Sequence, residues 1–283
     1  MIEYGILFGL ATMLLFGISG FMIKNPTSRF GNIKSAFIVL IGGELPALLA
    51  AFFFLNQFNF YTVILGAISG IPIALGYILF YVSLQKRQAS NTYSINILQA
   101  LVIAVGGVLL LKENINLIET AGFVTGTIGV FLVTTTRHSG FDKAYLPAVA
   151  GNISWAVYWL VVGYAISNYG GLIPILFVGR GVGSIIVLPF FLLDRKSRRL
   201  VPAQKDRSLN WELLVGGIIA GAGNITFAML VIFGFLAVGS IFNAFSLVII
   251  ILLAFVLLKE RFSSTQVIGL LTVIISGVII AVG

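Results

Sequence analysis

Ten runs of apolar residues alternate with short polar or charged connections along the chain. Each run is long enough to cross a bilayer as a helix, which takes about 20 residues. The runs cover residues 4–23, 33–55, 61–84, 90–111, 117–136, 145–167, 171–193, 211–234, 237–258 and 264–282. This pattern predicts an all-α integral membrane protein with ten transmembrane helices.

A stretch at the end of the fourth run recurs at the end of the ninth. Leu110-Leu111-Lys112-Glu113 matches Leu257-Leu258-Lys259-Glu260 at an offset of 147 positions. The same offset maps Asn96 onto Asn243, Gly122 onto Gly269, Thr125 onto Thr272 and Ile128 onto Ile275. The chain is therefore predicted to consist of two tandem repeats of five helices, residues 1–140 and 141–283.

The odd number of helices in each repeat has a geometric consequence. The second repeat enters the membrane upside down relative to the first, so that a pseudo-two-fold axis in the membrane plane relates the two. Such inverted repeats are typical of transporters, because two packings of similar energy can open to opposite sides of the membrane. The predicted fold class is thus two inverted five-helix repeats.

Composition identifies lipid as the main solvent of this chain. Of its 283 residues, 59% are hydrophobic and only 9% are charged, whereas a soluble domain carries about 25% charged residues. So few charges could not cover a globular surface in water. The net charge of +8 does not indicate a nucleic-acid partner, because the basic residues are spread over the connections instead of one folded face.

The basic residues also predict an orientation. All but two of the 17 lysines and arginines lie in or beside odd-numbered connections; the exceptions are Lys112 and Arg180. Cytoplasmic loops carry an excess of lysine and arginine. We therefore expect a multi-pass protein of the cytoplasmic membrane with odd-numbered connections inside and both termini outside.

The sequence lacks the residues that several kinds of catalysis require. There is no cysteine, His138 is the sole histidine, and no Gly-x-x-x-x-Gly-Lys-Ser/Thr loop occurs. Thiol catalysis, metal catalysis and nucleotide hydrolysis therefore have no basis in the sequence. We expect no cofactor and no enzymatic activity.

Two charged residues lie deep within predicted helices. Glu44 is near the middle of the second run and Arg180 near the middle of the seventh. A charge at such a position costs roughly 3 kcal/mol on insertion-based scales, so each needs a partner, a water-filled cavity or a function. In one interpretation Glu44 takes up a proton or faces a cationic group, while Arg180 binds a carboxylate. In the other, the two form a buried ion pair that fixes helix packing.

Polar amides form a second group of candidates. Asn96 and Asn243 are repeat equivalents early in the fourth and ninth runs, and Gln99 and Asn224 also lie within apolar runs. An amide in hydrocarbon needs a hydrogen-bond partner, which is either a neighbouring helix or a substrate. We favour structural hydrogen bonding for Asn96 and Asn243, and a cavity position for Gln99 and Asn224.

Aromatic residues form a third group. Trp155 and Trp159 are four residues apart and share a helix face with Tyr158 beside them, and Tyr77 and Tyr81 have the same spacing. The tryptophans lie deeper than the membrane interface, where aromatic anchors usually occur. The pattern leaves two interpretations open, an aromatic wall that faces substrate and ordinary helix packing.

Glycines four residues apart recur in several runs, and this spacing lets helix backbones approach closely in lipid. The pairs are Gly5/Gly9, Gly66/Gly70, Gly122/Gly126 and Gly217/Gly221. Packing within one bundle is the preferred interpretation over a dimer interface. We expect a monomer or a weak homodimer.

With these motifs in place, the whole chain resembles the EamA-type permeases of the drug/metabolite transporter superfamily. The resemblance is strongest where the fourth and ninth runs end in Leu-Lys-Glu and a glycine, Gly122 or Gly269, follows. It implies a basket of two inverted repeats around a central cavity that carries small organic solutes. Family members include exporters of amino acids and other metabolites, and sugar uptake proteins.

The expected function is secondary transport of a small organic metabolite by alternating access, with protons as a candidate coupling ion. An amino acid or related zwitterion is the first substrate class, because Arg180, Glu44 and the aromatic residues could bind its carboxylate, its amino group and its side chain. A sugar, of the glucose or ribose type, is the alternative if amides and tryptophans line the cavity while the two charges pair. From a different class, a lipid scramblase or an intramembrane enzyme remains open.

Overall fold

A computed structural model describes residues 2–86, 96–134, 146–194, 204–233, 236–258 and 263–282. Within these residues the chain forms ten α-helices and one 3-10 turn, Leu55–Gln57. The helices are α1 (Ile2–Phe30), α2 (Asn32–Phe53), α3 (Phe60–Lys86), α4 (Asn96–Leu110), α5 (Leu117–Thr134), α6 (Leu146–Tyr169), α7 (Leu172–Leu193), α8 (Gln204–Ile232), α9 (Leu236–Leu258) and α10 (Ser264–Val282). They correspond in order to the ten predicted runs.

Six of these helices, α1, α2, α3, α6, α7 and α8, are long and apolar enough to cross a membrane. The other four contain shorter apolar segments within the described part of the chain, Asn96–Leu110, Leu117–Leu132, Gly239–Leu253 and Val267–Ile279. The fold is therefore all-helical and apolar, as predicted, with six clear spans and four shorter ones.

The first connection is much shorter than the apolar runs predict. Helix α1 continues to Phe30 and α2 begins at Asn32, so Gly31 alone joins them, with φ 88°. Lys24 and Arg29, which we expected in the connection, therefore lie on α1. An apolar run marks only the part of a helix that lies in lipid, and the backbone hydrogen bonds continue beyond it.

Helices of one repeat pack mainly against helices of the other. Helix α1 packs on α8 and α9, while α6, its repeat equivalent, packs on α3 and α4. Likewise α2 packs on α7 and α8, and α7 packs on α2 and α3. Helix α4 contacts α9, and α5 contacts α10. Exchanging the two repeats therefore reproduces each of the helix pairs named here.

Glycines allow the closest of these contacts. On α8, a Cβ at Gly217 would lie 2.7 Å from the carbonyl oxygen of Val39 on α2. On α3, a Cβ at Gly70 would lie 3.0 Å from the carbonyl oxygen of Gly179 on α7. Two of the predicted glycine pairs, Gly66/Gly70 and Gly217/Gly221, thus face helices of the same chain.

The Lys-Glu sequence after α4 reverses the chain and links the two repeats. Lys112 has φ 54°, and the N–H of Glu113 donates to the carbonyl of Gly107 at 3.2 Å. The carboxylate of Glu113 then accepts hydrogen bonds from the N–H groups of Leu236 (3.0 Å) and Ala237 (2.7 Å) at the start of α9. First-turn N–H groups have no acceptor inside their own helix, so Glu113 caps α9 from the opposite repeat.

Candidate functional site

A cavity lies where helices of both repeats meet. Its volume is about 100 Å³, several times the space that one water molecule needs. It is lined by Phe16, Ser19, Gly20, Ile23, Val39, Ile73, Tyr77, Phe80, Tyr81, Asn96, Gln99, Trp155, Tyr158, Trp159, Ala220, Asn224, Asn243 and Ser246. These residues come from α1, α2, α3, α4, α6, α8 and α9.

The cavity lining follows the repeat. The offset of 147 positions maps Ile73 onto Ala220, Tyr77 onto Asn224, Asn96 onto Asn243 and Gln99 onto Ser246, and all eight residues line the cavity. On α1 and α6, the lining positions 16, 19 and 20 have the same spacing as 155, 158 and 159. The cavity is therefore built from equivalent faces of the two repeats, although the residues at those positions differ.

Aromatic side chains from α3 and α6 form a wall of the cavity. The ring of Tyr77 lies edge-on to Trp155 at 5.3 Å between centroids and to Tyr81 at 5.6 Å. Tyr158 contacts Trp159 at 5.0 Å. Edge-to-face rings at these distances attract each other. The five aromatic residues named from their spacing are thus brought together.

One glycine makes this wall possible. The indole ring of Trp155 packs directly on Gly76 of α3, where any Cβ would overlap it. Trp155 can therefore occupy its position between α6 and α3 only because position 76 has no side chain.

The four predicted amides also meet at the cavity. Asn96 and Gln99 reach it from α4, Asn224 from α8 and Asn243 from α9. Two of their buried atoms, Oδ1 of Asn96 and Nδ2 of Asn224, have no hydrogen-bond partner among the described residues. These two atoms are an unpaired acceptor and an unpaired donor on residues that line the cavity.

Arg180 lies behind the aromatic wall and is not among the lining residues. Its side chain is only 1% exposed. Nη2 donates to the carbonyls of Val39 (3.3 Å) and Leu40 (3.4 Å) on α2, and the guanidinium carbon lies 5.9 Å from the centroid of the Tyr77 ring. The guanidinium also packs directly on Gly43. Arg180 therefore binds α2 and supports the wall from behind.

Glu44 is a neighbour of Arg180 and likewise lies outside the lining. A Cβ at Gly181 would be 3.7 Å from Oε1 of Glu44. Both carboxylate oxygens are buried, and within the described part of the chain neither has a hydrogen-bond partner. No hydrogen bond joins Glu44 to Arg180 in this conformation, so the structure does not contain the ion pair of the second interpretation.

Three consecutive residues of α7 connect Glu44 with the cavity. Gly181 faces Glu44, Arg180 faces Tyr77, and a Cβ at Gly179 would lie 3.7 Å from a ring carbon of Tyr158. The hydroxyl of Tyr158 is buried and finds no hydrogen-bond partner in the residues that the structure describes. Arg180 therefore lies between Glu44 and two tyrosines of the cavity lining.

Sequence reasoning missed the contribution of α1. Phe16 and Ser19 line the cavity, and the hydroxyl of Ser19 donates to the carbonyl of Gly216 on α8 at 2.7 Å. Neither residue is conspicuous in an apolar run. The signal that would have found them is their spacing. Phe16 and Ser19 are three residues apart on the first helix of their repeat, as Trp155 and Tyr158 are on the first helix of the second repeat.

Comparison with known proteins gives a family and a fold. The model of the EamA-like transporter family matches residues 3–135 and 142–282. A solved crystal structure, described only as that of a protein, is similar with a TM-score of 0.76 at 15% sequence identity, over 97% of this chain and 95% of that chain. No curated protein sequence gives a significant match.

Proposed function

Because the chain belongs to the EamA-like transporter family, we propose that it is a secondary transporter that moves a small organic metabolite across the cytoplasmic membrane by alternating access. The observation that carries the proposal is the cavity between the repeats, which is lined by equivalent positions of both. A solute bound there contacts both halves of the molecule. Rocking one half against the other would then expose it to either side of the membrane.

The proposal includes an inverted repeat of residues 1–140 against residues 141–283. The helix pairs exchange when the repeats are exchanged, as a two-fold relation requires. Five helices per repeat place this axis in the membrane plane. The same contacts remade in the second arrangement would form a state of similar energy that opens to the opposite side.

A proton bound at Glu44 is the proposed coupling ion. Its carboxylate oxygens are buried and unpartnered within the described residues, and it is linked to the cavity wall through Arg180. Neutralising a carboxylate that lies beside a buried guanidinium changes the local electrostatic balance by one charge. Proton uptake at Glu44 would thereby favour one arrangement of α2 and α7 over the other.

Two substrate classes remain candidates. An amino acid or related zwitterion needs Arg180 to reach its carboxylate, which requires Arg180 to leave the carbonyls of α2. A sugar is the second candidate, and a specific observation favours it. The amides and both tryptophans line the cavity, whereas Arg180 and Glu44 do not.

The first experiment is uptake into proteoliposomes with labelled panels of amino acids and sugars, with and without a pH gradient, for the wild type and Glu44→Gln. We expect gradient-driven uptake in the wild type. In Glu44→Gln, uptake should continue down the solute gradient but no longer respond to pH. If the mutant keeps its response to the pH gradient, Glu44 is not the proton site. The absence of flux for every solute in both panels would contradict the proposed transport.

A further inference from the structure

We propose that the cavity selects an uncharged, hydroxyl-rich solute and rejects charged analogues of the same shape. This inference rests on the proposed transport function and narrows its substrate class. It follows from three features of the cavity, namely its charge, its unpaired polar atoms and its aromatic wall.

The lining that the structure describes contains no lysine, arginine, histidine, aspartate or glutamate. Arg180 and Glu44, which have opposite signs and are neighbours, lie outside this lining. An ionised solute that leaves water needs a counter-charge with good hydrogen-bond geometry, or it pays several kcal/mol of desolvation. The cavity offers a charged solute no such partner.

The unpaired polar atoms suit a solute that both donates and accepts hydrogen bonds. Oδ1 of Asn96 needs a donor and Nδ2 of Asn224 needs an acceptor, while the hydroxyl of Tyr158 can use either; none has a partner in the described part of the chain. A buried polar group left unpaired costs about 1–3 kcal/mol. Hydroxyl groups act as donor and acceptor at once, so a solute with several of them suits lining residues that offer both unpaired donors and unpaired acceptors.

The aromatic wall provides the rest of the fit. Tyr77, Trp155 and Tyr81 line the cavity as neighbouring rings in edge-to-face contact. The carbon-bound hydrogens of a hydroxylated ring form an apolar face that gains free energy when it leaves water for an aromatic surface. A lining that combines amides with aromatic rings therefore matches a polyhydroxylated ring.

Tryptophan fluorescence can test this choice without any transport assay. Of the three tryptophans, Trp155 and Trp159 line the cavity, whereas Trp211 on α8 is 59% exposed. The variant Trp211→Phe confines the signal to the cavity. It would be titrated in detergent with glucose, glucuronate and glucosamine, and with galactose, galacturonate and galactosamine. We expect one neutral member to bind at least about tenfold more tightly than its two charged analogues, equivalent to about 1.4 kcal/mol.

A charge placed in the cavity should reverse the selectivity. In Asn224→Asp we expect the amino sugar to gain affinity by about tenfold over its neutral analogue, because the new carboxylate supplies the missing counter-charge. The control is Asn168→Asp on an exposed part of α6, which should keep the wild-type order. Tighter binding of a charged sugar by Trp211→Phe, or no fluorescence change with any of the six, would overturn the proposal.

The two proposals fail in different ways. Flux of a charged amino acid in proteoliposomes, with no binding of neutral sugars, leaves transport intact and contradicts the uncharged-solute inference. Binding of a neutral sugar with no flux of any solute supports the inference and contradicts transport.

Discussion

Arg180 shows how one buried charge can be accommodated in an apolar helix bundle. Glycines precede and follow it on α7, and a third glycine, Gly43 on α2, leaves room for the guanidinium. The guanidinium then reaches two backbone carbonyls and the ring of Tyr77. This arrangement requires that position 43 has no side chain, because any Cβ there would occupy the space of the guanidinium.

The substitution Gly43→Ala should therefore displace Arg180. We expect a loss of stability of about 1–3 kcal/mol, which is typical of overpacking a filled site, together with reduced uptake. The matched control is Gly277→Ala on α10, where an added Cβ meets nothing within 4 Å among the described residues. That control should gain up to about 1 kcal/mol from helix propensity. Thermal unfolding in detergent compares the two, and equal midpoints would argue against this packing role for Gly43.

The sequence identified some of the candidate residues better than others. Tryptophans, tyrosines and amides stand out in an apolar run; nine such residues were named as candidates from type and spacing, and all nine line the cavity. Arg180 stands out equally but lies behind the wall. Residue type reveals that a buried polar group needs a partner, but not whether a solute or the backbone of another helix provides it.

Among the helices, α4 and α9 are joined by a side chain rather than by packing alone. Glu113 leaves the end of α4 and caps the first N–H groups of α9. The contact is tight, because a Cβ on Gly107 would lie 2.9 Å from Oε2 of Glu113. Burial raises the pKa of the Glu113 carboxyl above its ordinary value of 4.5, and the hydrogen bonds from Ala237 and Leu236 offset only part of this effect.

This raised pKa predicts how stability depends on pH. The folded state binds the Glu113 proton more tightly than the unfolded state does, so this stabilisation is full below pH 4.5 and is lost as pH rises through the folded pKa. Glutamine does not titrate. The unfolding temperature of the wild type relative to Glu113→Gln should therefore fall as pH rises from 4.5. A constant or rising difference would contradict the prediction.

The variant Glu113→Ala tests how the hydrogen bonds of Glu113 contribute to stability, apart from its charge. It leaves two N–H groups of α9 without their acceptor, and each such loss costs about 1–3 kcal/mol when the group is buried. We expect lower stability than in Glu113→Gln at every pH.

The apolar pattern predicts which helices form but not where each of them ends. The ten runs predicted the order and number of helices, but α1 ends at Phe30 and not near residue 23. A polar helical turn that lies outside the lipid has the same sequence pattern as a loop. The role of the Leu-Lys-Glu repeat was also hidden, because the partner of Glu113 lies 123 positions away.

For the molecule as a whole, the distribution of charge predicts an orientation in the membrane. By the positive-inside rule we expect the connection around residues 195–203 in the cytoplasm and Lys112 outside. The chain has no cysteine, so single cysteines can be introduced without background. We expect Lys112→Cys to react with an impermeant maleimide on intact cells, and Lys196→Cys to react only after permeabilisation. The reverse result would invert the orientation.

The repeat was visible in sequence at the scale of the molecule, whereas the helix pairing was not. The offset of 147 positions relates α3 to α8 and α4 to α9. It does not indicate that α1 packs on α8 or that α3 packs on α6. Helix pairing in lipid depends on which small residues face one another, and apolar runs of similar composition do not encode that choice clearly.

The exchange of partners between repeats also bears on how the protein is made. Helices of the first repeat leave the ribosome first, yet most of their packing faces belong against α6 to α10. During synthesis the small-residue faces of α2 and α3 must therefore be covered by lipid or by insertion factors until the second repeat enters the bilayer. Assembly of this protein is consequently a late event in its translation, and the carboxylate of Glu113 meets α9 only when nearly the whole chain has been inserted.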